Sequence, residues 1–166
     1  INRLHCWVKS PHTKGTGLAQ DLDVYLAGEW SPGTGDEYHE IISPGSGEHI
    51  ATVPLATRED IDRAVRAARK AQDEFRHWTA IERASLLHRI AEAVSDNIEE
   101  IARIQTLEQG KPYHEESLAD IAEANQYFLN AAEDIKRLTG SVIPTSDRNK
   151  RMFTFHRPVG VWAAIT

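Results

Sequence analysis

The chain has 166 residues, of which 40% are hydrophobic and 27% charged, a composition that predicts a folded domain with its own core rather than a disordered segment. Its 25 acidic and 19 basic residues give a formal net charge of −6. This charge argues against nucleic-acid and anionic-membrane partners, because both require a basic surface, and no apolar run approaches the ~18 residues of a membrane span. A single cysteine excludes an internal disulfide framework and favours a reducing compartment, so the cytoplasm is the predicted location.

Residues 1–20 are predicted to be a leader or a flexible arm, because they carry basic side chains but no acid and contain a short glycine-rich stretch. Three residues of this arm, His5, Cys6 and His12, could be considered as metal ligands. Their spacing matches no standard zinc pattern and a fourth ligand is missing, so we favour an unstructured arm over a metal site.

The next part of the chain has the pattern of short strands separated by turns. Residues 24–27, 39–42 and 48–53 are enriched in apolar and β-branched side chains, which predicts strands, and a return strand is expected after the turn at Gly28. The glycine-rich segments that separate them invite comparison with phosphate-binding loops. A phosphate loop should open a helix, whereas these segments lead into strands, so they are interpreted as turns.

Helical periodicity begins at Thr57 and continues to Gly140. The first two helices each begin with a capping-box pattern, a threonine followed three residues later by an acid: Thr57 with Asp60, and Thr79 with Glu82. A break is predicted at 95–97 and a stop at 110–112. A third long helix is predicted over 114–138. Its expected buried face consists of Leu118, Ile121, Ala122, Phe128, Ala131 and Ile135.

The C-terminal part returns to a β pattern. Residues 141–157 predict a hairpin with a long polar loop, and 158–166 form a nearly continuous apolar run that is typical of a strand buried on both faces of a parallel sheet. The chain begins with isoleucine, its only methionine is Met152, and it ends within this apolar run. We therefore expect the sequence to be part of a longer protein.

Three sequence blocks follow one another in a characteristic order. The first combines Tyr-Leu-Ala-Gly-Glu-Trp at 25–30 with Ser-Pro-Gly-Ser-Gly-Glu at 43–48. The second is Leu-Glu-Gln-Gly-Lys-Pro at 107–112, and the third is His-Arg-Pro-Val-Gly-Val at 156–161. In order and spacing they resemble the aldehyde dehydrogenase superfamily, whose corresponding signatures read N-P-x-T-G-E, L-E-x-G-K-P and R-x-P-x-G-V.

The resemblance extends over residues 24–166. Ser43 and Ser46 stand where the family commonly has asparagine and threonine, which is a mild departure from its turn signature. The hexamer at 107–112 is frequent in succinate-semialdehyde-type members and points towards that subfamily.

The resemblance implies an α/β fold of the aldehyde dehydrogenase type. Residues 21–140 would be the N-terminal part of the NAD(P)-binding domain, with β segments and a helical layer. Residues 141–157 would be an oligomerisation hairpin, and 158–166 the first strand of the dinucleotide-binding sheet. The implied protein is a homodimer or homotetramer that oxidises a small aldehyde to a carboxylic acid, with NAD or NADP as hydride acceptor. In the family the nucleophile, base and oxyanion donor lie beyond the position of Thr166, so we expect this segment alone to be inactive.

Few residues of this chain are candidates for ligand contact. Ile165 and Thr166 end the strand that resembles the first strand of the cofactor sheet, and ligands of open α/β sheets bind at strand carboxyl ends, so these two are candidate cofactor contacts. The alternative for them is plain sheet core. By resemblance, Glu108 with the backbone carbonyls of Ile41 or Ile42 is a candidate site for a structural sodium or potassium ion. The alternative is that the Glu108 carboxylate bonds amides of its own helical turn.

Two other classes of function remain open at this point. The chain could be a helical interaction module without catalysis, or part of a superfamily member that does not oxidise aldehydes. The aldehyde and the choice between NAD and NADP are not predicted, since the residues that decide them lie downstream in the family.

Overall fold

The computed structural model describes residues 20–165. Most of the predicted arm, with His5, Cys6 and His12, lies outside this range, as does the candidate cofactor contact Thr166. Strands come first, helices occupy the middle, and a short hairpin follows. This order confirms the expected α/β class. No helix within residues 20–165 is both long and apolar enough to cross a membrane.

Five short strands form two small sheets: β1 Gln20–Asp21, β2 Val24–Leu26, β3 Glu29–Ser31, β4 Tyr38–Ile42 and β5 His49–Pro54. The larger sheet has the order β1-β5-β4, in which β1 is parallel and β4 antiparallel to β5. Strands β2 and β3 form a hairpin around Ala27 and Gly28, whose φ angles of 55° and 94° are those that a tight two-residue turn requires. The predicted return strand is therefore confirmed, and residue 20 belongs to the sheet rather than to the arm.

Four helices follow: α1 Arg58–Phe75, α2 Ala80–Asp96, α3 Ile98–Gln109 and α4 Leu118–Asp134. Both predicted capping boxes are formed. The hydroxyls of Thr57 and Thr79 each accept from the amide three residues on, and their own amides donate to the carboxylates of Asp60 and Glu82. The predicted break is at Asn97, whose side-chain amide donates to the Ala93 carbonyl at 2.8 Å and so satisfies one free carbonyl at the end of α2. A π-helical turn, Tyr113–Ser117, leads into α4.

The helical core is made of alanines. Helix α4 packs against both α2 and α3, and the buried apolar residues of these three helices are Ala84, Ala91, Ala102 and Ala132. Small side chains allow the helix backbones to approach closely, while larger apolar residues fill the margins and stay partly exposed. The prediction that Ala122 and Ala131 are buried was wrong, because both are exposed. The face of α4 that points to the other helices contains Asn125 and Ala132.

The predicted hairpin at 141–157 is confirmed at its centre, where β6 Val142–Ile143 pairs with β7 Met152–Phe153. The predicted strand at 158–166 is not formed, since residues 158–165 have no regular structure and Ile165 is 95% exposed. A strand buried on both faces requires neighbouring strands, and the described part of the chain pairs none with this run. Residues 160–162 lie instead against the end of α1, lining an open groove with Phe75 and Trp78.

Candidate functional site

The end of helix α3 lies against the turn that joins β4 and β5. Gly110 follows α3 with φ 74° in the left-handed region, and its amide donates to the Thr106 carbonyl at 2.9 Å, which closes the helix. A Cβ placed on Gly110 would stand 3.0 Å from Cγ of Pro44. The turn itself is closed, because the buried Ser43 donates its amide to the Glu48 carbonyl at 2.8 Å. The chain therefore brings a helix end and a strand end together.

The strand side of this junction carries a β-bulge. The pairing of β4 with β5 shifts register between Ile41, opposite Ala51, and Ile42, opposite His49. A bulge interrupts the hydrogen-bond ladder and leaves backbone groups without a partner strand group. The bulge lies at Ile41 and Ile42, the two residues whose carbonyl oxygens are candidate cation ligands by resemblance to the family.

The helix side carries Glu108, in the last turn of α3. Its side chain is exposed, and among residues 20–165 it forms no hydrogen bond or ion pair. The alternative in which the carboxylate bonds amides of its own turn is therefore not the arrangement found. No cluster of three or more histidine, cysteine, aspartate or glutamate side chains occurs in the described range. One carboxylate with backbone carbonyls fits a hard monovalent cation better than a transition metal.

A polar network of Gln105, Lys111 and Asp120 lies beside Glu108, and the sequence patterns gave no indication of it. Lys111 forms an ion pair with Asp120 of α4, which holds the pKa of the Asp120 carboxyl below and that of the Lys111 amine above its ordinary value. The side chain of Gln105 also donates to Asp120, at 3.3 Å. The partners are nine and 15 residues apart in sequence, so no local pattern indicates the pairing.

The candidate cofactor contacts are not brought together in this structure. Ile165 is 95% exposed and lies at the end of a segment without a strand, and Thr166 lies outside the described range. Their contact with a cofactor therefore stays a prediction.

Asp60 is the most unusual carboxylate among the described residues, because it is fully buried. One of its oxygens accepts from the amides of Thr34 and Thr57, at 3.0 and 3.1 Å, and from both threonine hydroxyls, at 3.0 Å each. These hydrogen bonds, that from the Thr34 amide first, lower the pKa of the Asp60 carboxyl to about 2 against the opposing effect of desolvation. The capping-box pattern predicts the bond to Thr57, whereas no local pattern indicates the bond to Thr34, which lies 26 residues away.

Comparison with known proteins identifies the family. The model of the aldehyde dehydrogenase family matches residues 30–166, which is most of the chain. The chain belongs to the aldehyde dehydrogenase family. The match includes the hexamer at 107–112 and the block at 156–161, so two of the three sequence blocks lie wholly within the matched part of this family member.

Individual relatives agree with this assignment. Glutarate-semialdehyde dehydrogenase of Pseudomonas putida is 38% identical over 143 residues, which are 86% of this chain and 30% of the relative. The crystal structure of succinate-semialdehyde dehydrogenase from Burkholderia pseudomallei superposes with a TM-score of 0.75 at 37% identity, covering 84% of this chain and 29% of that one. A NAD-dependent benzaldehyde dehydrogenase from Corynebacterium glutamicum gives 0.70 at 28% identity, with 76% and 27% covered. The chain thus spans less than a third of these relatives.

The acid sensitivity of this chain should depend on Asp60. Its folded-state pKa of about 2 lies below the ordinary 3.8, so its contribution to stability is fully present above about pH 5 and is lost as the pH falls towards 2. We expect Asp60→Asn to be less stable than the parent at neutral pH and the difference to shrink on acidification, as measured by urea midpoints. The exposed Asp62→Asn control should keep the parent's acid sensitivity. A difference that stays constant across this range would contradict the assignment.

The turn after α3 should tolerate only glycine. Gly110→Ala forces a left-handed backbone onto a residue with a side chain and presses its Cβ towards Pro44, so the free energy of unfolding should fall by about 1–2 kcal/mol. The matched control is Gly45→Ala, since Gly45 has ordinary φ and its nearest atom to an added Cβ is the Ser43 hydroxyl at 3.9 Å. Equal losses in urea unfolding for the two variants would show that the Gly110 turn is not under this constraint.

Proposed function

We propose that the protein to which this chain belongs is an NAD(P)-dependent aldehyde dehydrogenase that oxidises an aldehyde to a carboxylic acid. The observation that carries the proposal is the family match over residues 30–166. The names of the relatives, which are dehydrogenases of aldehydes, support the same reaction. The oxidation requires a nucleophile, a base and a hydride acceptor, and the only cysteine of the 166 residues, Cys6, matches no family motif. The chain alone is therefore expected to be inactive.

The proposed hydride acceptor is NAD or NADP. The NAD dependence named for the benzaldehyde dehydrogenase supports a nicotinamide cofactor. Residues 158–165 form no strand, and Ile165 is exposed to solvent. The described residues thus do not form a dinucleotide-binding site by themselves. Contact of Ile165 and Thr166 with the cofactor requires the sheet that the family implies.

The proposed substrate class is a small aldehyde that carries a negatively charged carboxylate at its other end. The relatives at 38% and 37% identity are named for such semialdehydes, glutarate-semialdehyde and succinate-semialdehyde. The hexamer at 107–112 supports the same class.

A structural sodium or potassium ion is proposed at the junction of α3 and β4. Its ligands would be the carboxylate of Glu108 and the carbonyl oxygens of Ile41 and Ile42. The bulge at the two isoleucines, the close approach of Gly110 to Pro44, and the lack of another partner for Glu108 within residues 20–165 support this site. The ion would link the helix to the sheet and would take no part in the oxidation.

Residues 141–157 are proposed to join subunits of a homodimer or homotetramer. Their hairpin presents exposed apolar side chains, with Val142 71%, Phe153 54% and Phe155 76% exposed. A cluster of apolar side chains on a two-stranded ribbon is typical of a surface that another subunit covers.

A chimera tests the proposed reaction. This chain would replace the matching segment of the Pseudomonas putida glutarate-semialdehyde dehydrogenase, and formation of NADH and NADPH would be followed with glutarate semialdehyde and with an uncharged aldehyde of similar length. We expect activity above that of the isolated chain, which should show none, and a higher kcat/KM for the semialdehyde. Sedimentation provides the control for assembly. A chimera that assembles like the parent relative but reduces neither cofactor would contradict the proposal.

A further inference from the structure

Four side-chain contacts tie the end of α3 and the residue Lys111 to α4 and to the π-helical turn before it, and none of them involves a residue of the proposed ion site. Lys111 forms its ion pair with Asp120 and lies 3.9 Å from the carboxylate of Glu116. Gln105 donates to the same Asp120 oxygen at 3.3 Å. The hydroxyl of Thr106 donates to that of Ser117, which is fully buried, at 2.9 Å. Together these contacts fix the last turn of α3 on both sides of Glu108.

The π-helical turn before α4 provides two of the partners, Glu116 and Ser117. The amide of Ser117 reaches back to the Pro112 carbonyl at 3.0 Å, a five-residue hydrogen bond that widens the helix where it begins. Glu116 and Asp120 are four residues apart and so lie on one face, towards which Lys111 extends. Lys111 follows directly after Gly110, where an added Cβ would stand 3.0 Å from Cγ of Pro44, next to the bulged strand.

We propose that Lys111 and Asp120 are positioning residues for the cation site, holding the Gly110 turn so that Glu108 faces the carbonyl oxygens of Ile41 and Ile42. The inference rests on the proposed ion site. The carboxylate of Glu108 has no partner of its own in the described range, and its backbone lies two residues before the turn residue Gly110, which Lys111 follows. Groups that orient a metal ligand raise the affinity for the metal without touching it.

An ion pair that serves only general stability would behave differently. Both side chains are partly exposed, at 29% for Lys111 and 40% for Asp120, and pairs of this kind contribute little on their own. A merely structural pair would leave the affinity for sodium unchanged. The sodium affinity, measured separately from stability, therefore distinguishes the two roles.

The test measures sodium binding by the line width of the sodium NMR signal, with the 166-residue chain at constant ionic strength. The variants are Glu108→Gln, Lys111→Met and Lys111→Arg, with Lys136→Met as matched control. Lys136 is 33% exposed and pairs with Glu133 at 2.7 Å, far along the chain from the site. We expect Lys111→Met to bind sodium roughly tenfold more weakly, Lys111→Arg to recover most of the affinity, and Lys136→Met to bind like the parent.

Each remaining outcome has a defined meaning. If the parent binds sodium and Glu108→Gln does not, but Lys111→Met binds like the parent, the ion site stands and the positioning role is overturned. If Lys136→Met weakens binding as much as Lys111→Met, the loss reflects general stability and the role is also overturned. If the parent and Glu108→Gln bind equally, Glu108 is not a ligand, and the proposed ion site and this inference fall together.

Discussion

Replacement of Asp60 by alanine is expected to lower the Tm of this chain by roughly 10 °C. The carboxylate is fully buried and accepts from the amides of Thr34 and Thr57. Without it, both amides lose their hydrogen-bond partner in a partly buried position, and helix α1 loses half of its capping box. The 33–34 loop would also lose its attachment to α1.

The control for this variant is Asp62→Ala, an exposed aspartate two residues further along the same helix. It should change the Tm by a small fraction of the effect at Asp60, because surface substitutions away from such contacts have little effect. Both would be compared by thermal unfolding followed by circular dichroism. Similar shifts for the two variants would mean that the Asp60 hydrogen bonds do not stabilise the fold.

Replacement of Ala132 by leucine is expected to lower the free energy of unfolding by about 1–3 kcal/mol. Ala132 is 0% exposed on α4, the helix that packs against both α2 and α3. Three further carbon atoms cannot be accommodated there unless the helices separate, and separation would weaken the packing along their whole length. Urea unfolding with tryptophan fluorescence measures the change.

Ala131→Leu is the matched control, because Ala131 is the adjacent residue on the same helix and is exposed. Leucine and alanine have similar helix propensity, so this variant should stay within about 0.5 kcal/mol of the parent. If the two leucine variants are equally destabilised, α4 does not pack through the Ala132 face.

Local chemistry determines most of the element boundaries. The capping boxes at Thr57 and Thr79, the break at Asn97 and the stop at Gly110 depend on residues within four positions of one another. Hydrogen bonds of this range form wherever the sequence places the right side chain, so the sequence pattern is sufficient to predict them.

The candidate ion site was only partly accessible to sequence reasoning. Family resemblance indicated Glu108, Ile41 and Ile42, and the structure adds the bulge at the isoleucines and the approach of Gly110 to Pro44. The anchoring pair Lys111 and Asp120 had no signal of its own, because charged residues nine positions apart lie on no common helix face.

By itself, the sequence determined the family, the α/β class and where helices start and stop, since these follow from motifs and from interactions between near neighbours. Only the tertiary structure decided that Ala132 rather than Ala131 is buried, that Asp60 holds a loop 26 residues away, and that residues 158–165 remain without a strand. Each of these outcomes depends on which distant segment comes to lie against the residue. A strand in particular exists only where neighbouring strands supply its hydrogen bonds, however well its own residues suit it.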